Sequence, residues 1–427
     1  MKKLLQFLFG YFERNRFYLF LFVFLLVLHV FLRFFELEAR MQFTWDQVRD
    51  AWVMKDMIVD GKFPLLGTVA KGNSGFFTGP AYYYLLAPFY LMTNLDPIAA
   101  GIFSGVVSTV TFLALYIITK KIFSHGVALC ATFLYTVSSS ANTFDRVPWN
   151  VIFIPFVSLL MLYFLYELLK GNIRSLIPLS IVLGFSFHIH FTSIYYLPII
   201  LLSLPLWPRK KETVIYGIIG LGLFALWFIP NVIAEFGNKS GSTDKLAVYL
   251  QTYYHGFHLR RVAQLFHDAF IQFEGIVSVK PISRFAYLAV PIFAFVLTRT
   301  KPNKSSLALI YLLCLWIGVP WIIMSLYSGE ISNYYFAISR PLVFMTIGYI
   351  IWSVVSVKNI FSGLTIVLLG LYTLINLQNF WLTKYVTLPK YKAEVRQEIK
   401  EGRTIKFSEG DPKSYLYYIY AERESGK

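Results

Sequence analysis

The sequence is short of charge. Asp, Glu, Lys and Arg make up 15% of its 427 residues, where a soluble domain carries about 25%. That leaves too little polar surface for a chain of this size to stand in water. Cysteine is nearly absent. The two present, Cys130 and Cys314, both fall inside apolar runs, which excludes a disulfide framework and a thiolate metal cluster. Acids are scarcer than bases, 23 against 39, for a formal charge of +16. The excess is not a nucleic-acid signature. Lys and Arg gather at the ends of apolar runs, as membrane topology requires, and no zinc-finger, basic-zipper or RNA-binding pattern accompanies them.

What fills the chain is apolar: 57% hydrophobic and 19% aromatic. Runs of about 20 apolar residues recur along its length, each enough to cross a bilayer as a helix. The sequence therefore predicts an all-α, polytopic membrane protein with about eleven spans. They fall near 17–36, 97–119, 125–142, 150–168, 175–189, 192–207, 213–233, 284–299, 305–327, 340–357 and 360–382. Basic clusters mark alternate ends: Lys2, Lys3, Arg14 and Arg16; Lys120 and Lys121; Lys170 and Arg174; Arg209, Lys210 and Lys211; Arg299, Lys301 and Lys304; Lys358. The positive-inside rule then sets the N-terminus in the cytoplasm and the C-terminus outside. No small-residue cleavage site follows the first run, so it reads as a retained span. The expected location is the plasma (inner) membrane. Residues 1–382 read as one transmembrane domain with outer loops 37–96 and 234–283. Residues 383–427 read as a short extracytoplasmic tail holding one helix near 391–401 and a strand or two.

The acids that do occur concentrate just after the first span. In FTWDQVRDAWVMKDMIVDG, Thr44 and Gln47 have capping-box spacing, and Gly61 and Pro64 supply stop signals. A helix over 45–60 would set Asp46, Asp50, Asp56, Asp60 and Arg49 on one arc. Trp45, Val48, Trp52, Ile58 and Val59 would lie opposite, as on an interfacial amphipathic helix with tryptophans at headgroup level. A solvated acidic face accounts for Asp56 and Asp60. It accounts less well for Asp46, in the first helical turn above span one. Further on, GNSGFFTGPAYYYLLAPFY offers pliable glycines (Gly72, Gly75, Gly79) and Pro80 to open a helix. The apolar run after it is too short to span. Tyr82, Tyr83 and Tyr84 read either as an interfacial belt or as substrate contacts.

These stretches carry a resemblance. An Asp after span one, then DGKFPLLG, TGPAYYYLLAP and the Asp96–Pro97 step, is similar to the GT-C class of integral-membrane glycosyltransferases. The branch most resembled is that of protein O-mannosyltransferases and lipid A aminoarabinose transferases. DRVPWN (145–150) and HIHF (188–191) resemble further patterns of its prokaryotic members. The resemblance is strongest over about 41–200. It implies a sugar donor on a polyprenyl phosphate, an acceptor on the outer face (glycan, lipid or protein), and Asp46 as catalytic base. The sequence departs from the pattern twice. Gln47 follows Asp46 where many relatives have a second acid, and Thr78 stands where many have a base before the Gly-Pro or Pro-Pro step.

Transfer from a polyprenyl phosphate needs one carboxylate to accept the acceptor's proton, because phosphate leaves readily, and a single displacement inverts the anomeric centre. The leaving phosphate needs cations. Arg146 is the first candidate, read alternatively as a topology residue or an ion pair with Asp145; Arg340, Arg260 and Arg261 follow. Asp50, Asp145, Tyr82, Tyr83, His188 and His190 are candidate substrate or acceptor contacts. Asp50 reads equally as a metal or substrate orienter or as a surface acid paired with Arg49, and a satisfied interfacial role also fits the two histidines. No cofactor is called for, and a divalent cation stays open; His255, His258, His267 and Asp268 show no specific zinc spacing. A transporter or lipid flippase is the alternative. It is disfavoured because the predicted span centres carry almost no ionisable residue. A non-catalytic scaffold is a third reading.

Overall fold

The computed structural model describes residues 16–70, 74–238, 242–254, 256–265, 289–301, 303–357 and 359–422. Lys2, Lys3, Arg14, Gly72, His255, His267, Asp268 and Lys358 lie outside these residues, as does the start of the expected span 284–299. Among the described residues the architecture is helical, with two isolated antiparallel bridges, Val69 with Phe77 and Tyr254 with Tyr327.

The chain enters as α1 (Arg16–Phe34), turns through α2 (Leu37–Arg40), and runs as α3 (Trp45–Ile58) and α4 (Ala81–Met92) before α5 (Ile98–Ile122). Then come α6 (His125–Val137), α7 (Ser139–Asp145), α8 (Ile154–Leu169), α9 (Leu176–Phe187), α10 (Tyr196–Ser203), α11 (Lys211–Leu226), α12 (Ile229–Asn238) and α13 (Ser242–Tyr253). The last third holds α14 (Ala289–Thr300), α15 (Lys304–Ser325), α16 (Arg340–Val355), α17 (Ile360–Leu382), α18 (Thr387–Lys400) and α19 (Pro412–Tyr417). Among the described residues five helices are long and apolar enough to cross a membrane, and a sixth span results if α11 and α12 count together across their 45° bend. Pro230 sits beside that bend, where its ring and missing N–H break the helical ladder. Five shorter apolar helices fall on the remaining expected spans.

A small residue sets the crossing of α16 and α6. A Cβ on Gly348 of α16 would lie 2.7 Å from the backbone nitrogen of Ala131 in α6, so the two helices meet at a distance only glycine permits. A buried polar knot ties α1 to the same group. Arg33 donates from Nε (3.0 Å) and Nη2 (2.8 Å) to Asp145 Oδ2, and from Nη1 and Nη2 to the carbonyls of Thr136 and Tyr135, capping the end of α6. Ser108 of α5 donates to the same Asp145 oxygen at 2.7 Å and meets His29 Nε2 at 3.1 Å. His29 and Arg33 are thus ionisable groups within α1 that the sequence reading passed over, and both are buried with partners.

The tail differs from expectation. Its helix is α18, as anticipated, but no strand is present among the described residues. The chain instead runs without regular secondary structure through 403–408 and turns into α19. The tail is fastened to the first loop at several points. Lys392 Nζ bridges Glu38 (2.6 Å) and Asp96 (2.7 Å), Val386 N–H donates to Ala39 O, and Tyr415 Oη donates to Leu95 O. Leu388, Val395, Tyr415 and Leu416 are buried.

Candidate functional site

The first loop organises the site. Thr44 and Gln47 form the expected capping box at the start of α3, with Gln47 Oε1 accepting from Thr44 N–H at 3.1 Å. The same Gln47 amide donates from Nε2 to Pro148 O at 3.0 Å, pinning the helix start to the DRVPWN stretch. A carboxylate at this position would lack that donor, which gives the Gln departure from the acidic pair a physical reason.

The face of α3 that its helical wheel assigns to the membrane is partly covered by protein: Val48 is buried, while Trp45 and Val59 are exposed. Trp52 packs edge-on against Phe407 and Tyr415 and against Tyr418, so the tail covers that face. Trp45 is packed so closely by Gly410 that a Cβ there would lie 1.9 Å from its ring. Asp50 is 1% exposed and turned inward, against the surface-acid reading.

A cleft of about 430 Å³ opens over the start of α3. It is lined by Trp45, Asp46 and Arg49, by residues 68–70, by Trp149, Asn150 and Val151, and by His190. Glu330, Ser332, Tyr334, Tyr335 and Glu409 complete it. Three stretches singled out in the sequence therefore converge, the first loop, DRVPWN and HIHF, and the segment around residues 330–335 joins them. Asn150 locks two of them together, donating to Thr68 Oγ1 and to Ile189 O. Trp149 meets Tyr334 edge-on at 4.9 Å.

Asp46 is the half-exposed carboxylate of this cleft, at 49% side-chain exposure. Its Oδ1 accepts from Arg49 Nη1 at 2.9 Å. Arg49 donates from Nε (3.0 Å) and Nη2 (2.8 Å) to Asp50 Oδ1, which also accepts from Tyr83 Oη at 3.3 Å. Burial opposes the charge on Arg49, but Asp50, Tyr83 and Asp46 outweigh it and raise its pKa. Burial pushes the Asp50 carboxyl up, and Arg49 pulls it back. His190 is pushed down to about 4 by burial, so its imidazole is neutral at ordinary pH. Its Nδ1 accepts from Thr192 N–H at 3.2 Å, which leaves the proton on Nε2. Glu330 and Glu409 went unnoticed in the sequence. Neither sits in a recognisable motif, and Glu409 reaches the cleft only because the tail folds back.

Other candidates sit elsewhere. Asp145 is in the core, paired with Arg33 and not with Arg146. Tyr82 and Tyr83 are buried behind α3. His188 is structural: Nδ1 accepts from Ala81 N–H, Nε2 donates to Trp227 O, and the ring lies against Gly79, where a Cβ would come within 2.2 Å. Thr78 is knitted to Thr68 across the bridged segment. Arg146 and Arg340 do not line the cleft: Arg146 lies over Phe380 (4.4 Å) and Arg340 over Phe144 (4.1 Å). Burial and the neighbouring Arg33 and Arg40 lower the pKa of Arg146, although a guanidinium stays protonated. Arg261 donates to Gly329 O, next to Glu330, while Arg260 is exposed and lines no part of the cleft. Among the described residues no three His, Cys, Asp or Glu side chains gather as a metal site.

Residues 78–233 match the family described as dolichyl-phosphate-mannose-protein mannosyltransferase. The match takes in DRVPWN and HIHF and stops short of Asp46. No curated protein matches the chain in sequence. Among solved structures it is similar to ArnT from Cupriavidus metallidurans bound to undecaprenyl phosphate. The TM-score is 0.60 at 10% identity, over 94% of this chain and 84% of that one. It is also similar to the archaeal oligosaccharyltransferase AglB from Archaeoglobus fulgidus in complex with an inhibitory peptide and a dolichol-phosphate. There the TM-score is 0.57 at 11% identity, over 96% of this chain and 60% of that one. At these identities the likeness is one of fold.

Proposed function

We propose that this chain, which has the fold of the GT-C glycosyltransferases, moves a sugar from a polyprenyl-phosphate donor to an acceptor on the outer face of the membrane. The acceptor hydroxyl attacks the anomeric carbon, the bond from that carbon to the phosphate oxygen breaks, and Asp46 takes the hydroxyl proton. Polyprenyl phosphate leaves, and the anomeric centre inverts. The observation that carries this reading is the cleft itself. It sets the Asp46 carboxylate, with Glu330 and Glu409, among aromatic faces where the start of α3, the connections after α3, α7, α9 and α15, and the tail after α18 meet. Aromatic rings and carboxylates suit a sugar, stacking on its C–H faces and accepting from its hydroxyls. Arg49 is the guanidinium that lines the cleft. Arg146 and Arg340 do not line it. The opposite end of the bundle carries Lys120, Lys121, Lys170, Arg174 and Arg209–Lys211, which supports an extracytoplasmic site in an eleven-span, N-in arrangement.

A transporter or flippase gains little support, since the ionisable groups inside α1 are held by α5, α6 and α7. The test is Asp46→Asn in the intact chain, in membranes, with polyprenyl-phosphate-linked mannose, glucose and arabinose as donors. Transfer should fall by about 10²–10⁴-fold with the protein level unchanged. Full activity in that variant refutes the assigned role.

A further inference from the structure

A general base must keep an electron pair free, yet Asp46 stands three residues before an arginine on the same helix face. A guanidinium given wholly to Asp46 would quench it, because a close opposite charge strongly favours the ionised, unprotonated carboxylate. The geometry points to a way round this. Arg49 spends two of its donors, Nε and Nη2, on Asp50, and only Nη1 on Asp46. The bond to Asp46 falls on Oδ1 alone. Oδ2 makes no hydrogen bond among the described residues.

Asp50 holds its share of Arg49 from a fixed position. It is 1% exposed, one turn below Asp46 on α3, with Tyr83 Oη of α4 on the same oxygen at 3.3 Å. A buried carboxylate needs a charged partner far more than an exposed one does. The guanidinium is therefore drawn down toward Asp50, along the wall of the cleft. The other titratable groups of the cleft are Glu330, Tyr334 and Tyr335 from the segment before α16, Glu409 from the tail, and His190 after α9. The two carboxylates, Glu330 and Glu409, offer Asp46 no hydrogen-bond donor of their own when ionised, so Arg49 is the cation that sets its orientation.

We propose that Asp50 is a positioning residue for the transfer reaction. By occupying two of Arg49's N–H groups beneath the cleft, it restricts Asp46 to one charged hydrogen bond and leaves Oδ2 open to the acceptor hydroxyl. The role rests on Asp46 being the base, and it makes no use of direct contact between Asp50 and substrate.

Two readouts test it on the full chain in lipid nanodiscs. The first is turnover of the same donors by Asp50→Asn. Here kcat should fall about tenfold or more while the donor KM stays within about twofold, since the lost group touches no substrate. The second needs no activity: labelling of Asp46 by a water-soluble carbodiimide and an amine, read by mass spectrometry at pH 6. Asp50→Asn turns Arg49 fully onto Asp46, so labelling should drop about tenfold. Tyr83→Phe, which removes only the 3.3 Å bond, should move both readouts the same way by a smaller factor, and it serves if Asp50→Asn folds poorly. Unchanged kcat and unchanged labelling in the folded variants overturn the proposal, as does a rise in donor KM with kcat intact. If the wild type turns over no donor, the transferase reading fails, and Asp50's hold on Asp46 then stands or falls on the labelling.

Discussion

At the scale of single residues, the positions that depart from the family pattern have local reasons. Gln47 is 3% exposed, and its amide N–H₂ is the donor that Pro148 O requires. Gln47→Glu, which restores the acidic pair of many relatives, places a buried acceptor against that carbonyl. It should cost about 2–4 kcal/mol, seen as a lower Tm in detergent, and should not raise activity. His190 gives a pH prediction. Its folded value of about 4 lies below the ordinary 6.5. Between those values the unfolded chain binds the extra proton, so the contribution of His190 is full above 6.5 and is lost as pH falls through 4. The swing is about 3 kcal/mol. His190→Gln should flatten the fall of Tm between pH 6.5 and 4, and an unchanged slope would rule out the buried neutral ring. Asp46 and His190 drew attention because each sits in a motif, and both line the cleft. Asp145 was misread for the same reason. Its motif marks a place in the fold, and the sequence does not show that Arg33, 112 residues away, turns its carboxylate inward.

At the scale of elements, the apolar runs predicted the helices well, because burial in a bilayer is written in composition. Capping was equally readable: Thr44, Pro80 and Gly61 all act at the places expected. The facing of α3 was not readable. A helical wheel offers two environments, membrane and water, whereas α3 has a third, the tail, arriving from more than 350 residues downstream. Trp52 is consequently covered by Phe407, Tyr415 and Tyr418, and Asp50 faces the tyrosines of α4. Two substitutions probe these contacts. Gly348→Ala puts a Cβ against the backbone of α6, which cannot yield as a side chain can, and should lower stability by about 1–3 kcal/mol. Asp145→Asn breaks the buried pair with Arg33 and should cost about 3–5 kcal/mol in unfolding experiments. The donor KM of the folded fraction should be unchanged, since Asp145 does not face the cleft. A large KM effect would return it to the substrate contacts.

At the scale of the whole molecule, the tail and the transmembrane helices act as one unit. The tail supplies Glu409 to the cleft and packs Gly410 on Trp45, beside the proposed base. An eleven-span, N-in arrangement predicts that single cysteines at Ser332 or Glu409 react with a membrane-impermeant maleimide in intact cells, and that one at Lys210 does not. The central claim is that Asp46 faces the reacting carbon of a lipid-linked sugar. The most direct measurement is a structure of the full chain in nanodiscs with a polyprenyl-phosphate sugar bound. The account predicts the sugar in the cleft against Trp149 and Tyr334. Asp46 Oδ2 and the anomeric carbon would then be separated by room for one hydroxyl oxygen, about 3 Å from each. A donor seated with its sugar outside the cleft, and Asp46 facing open solvent, would contradict it.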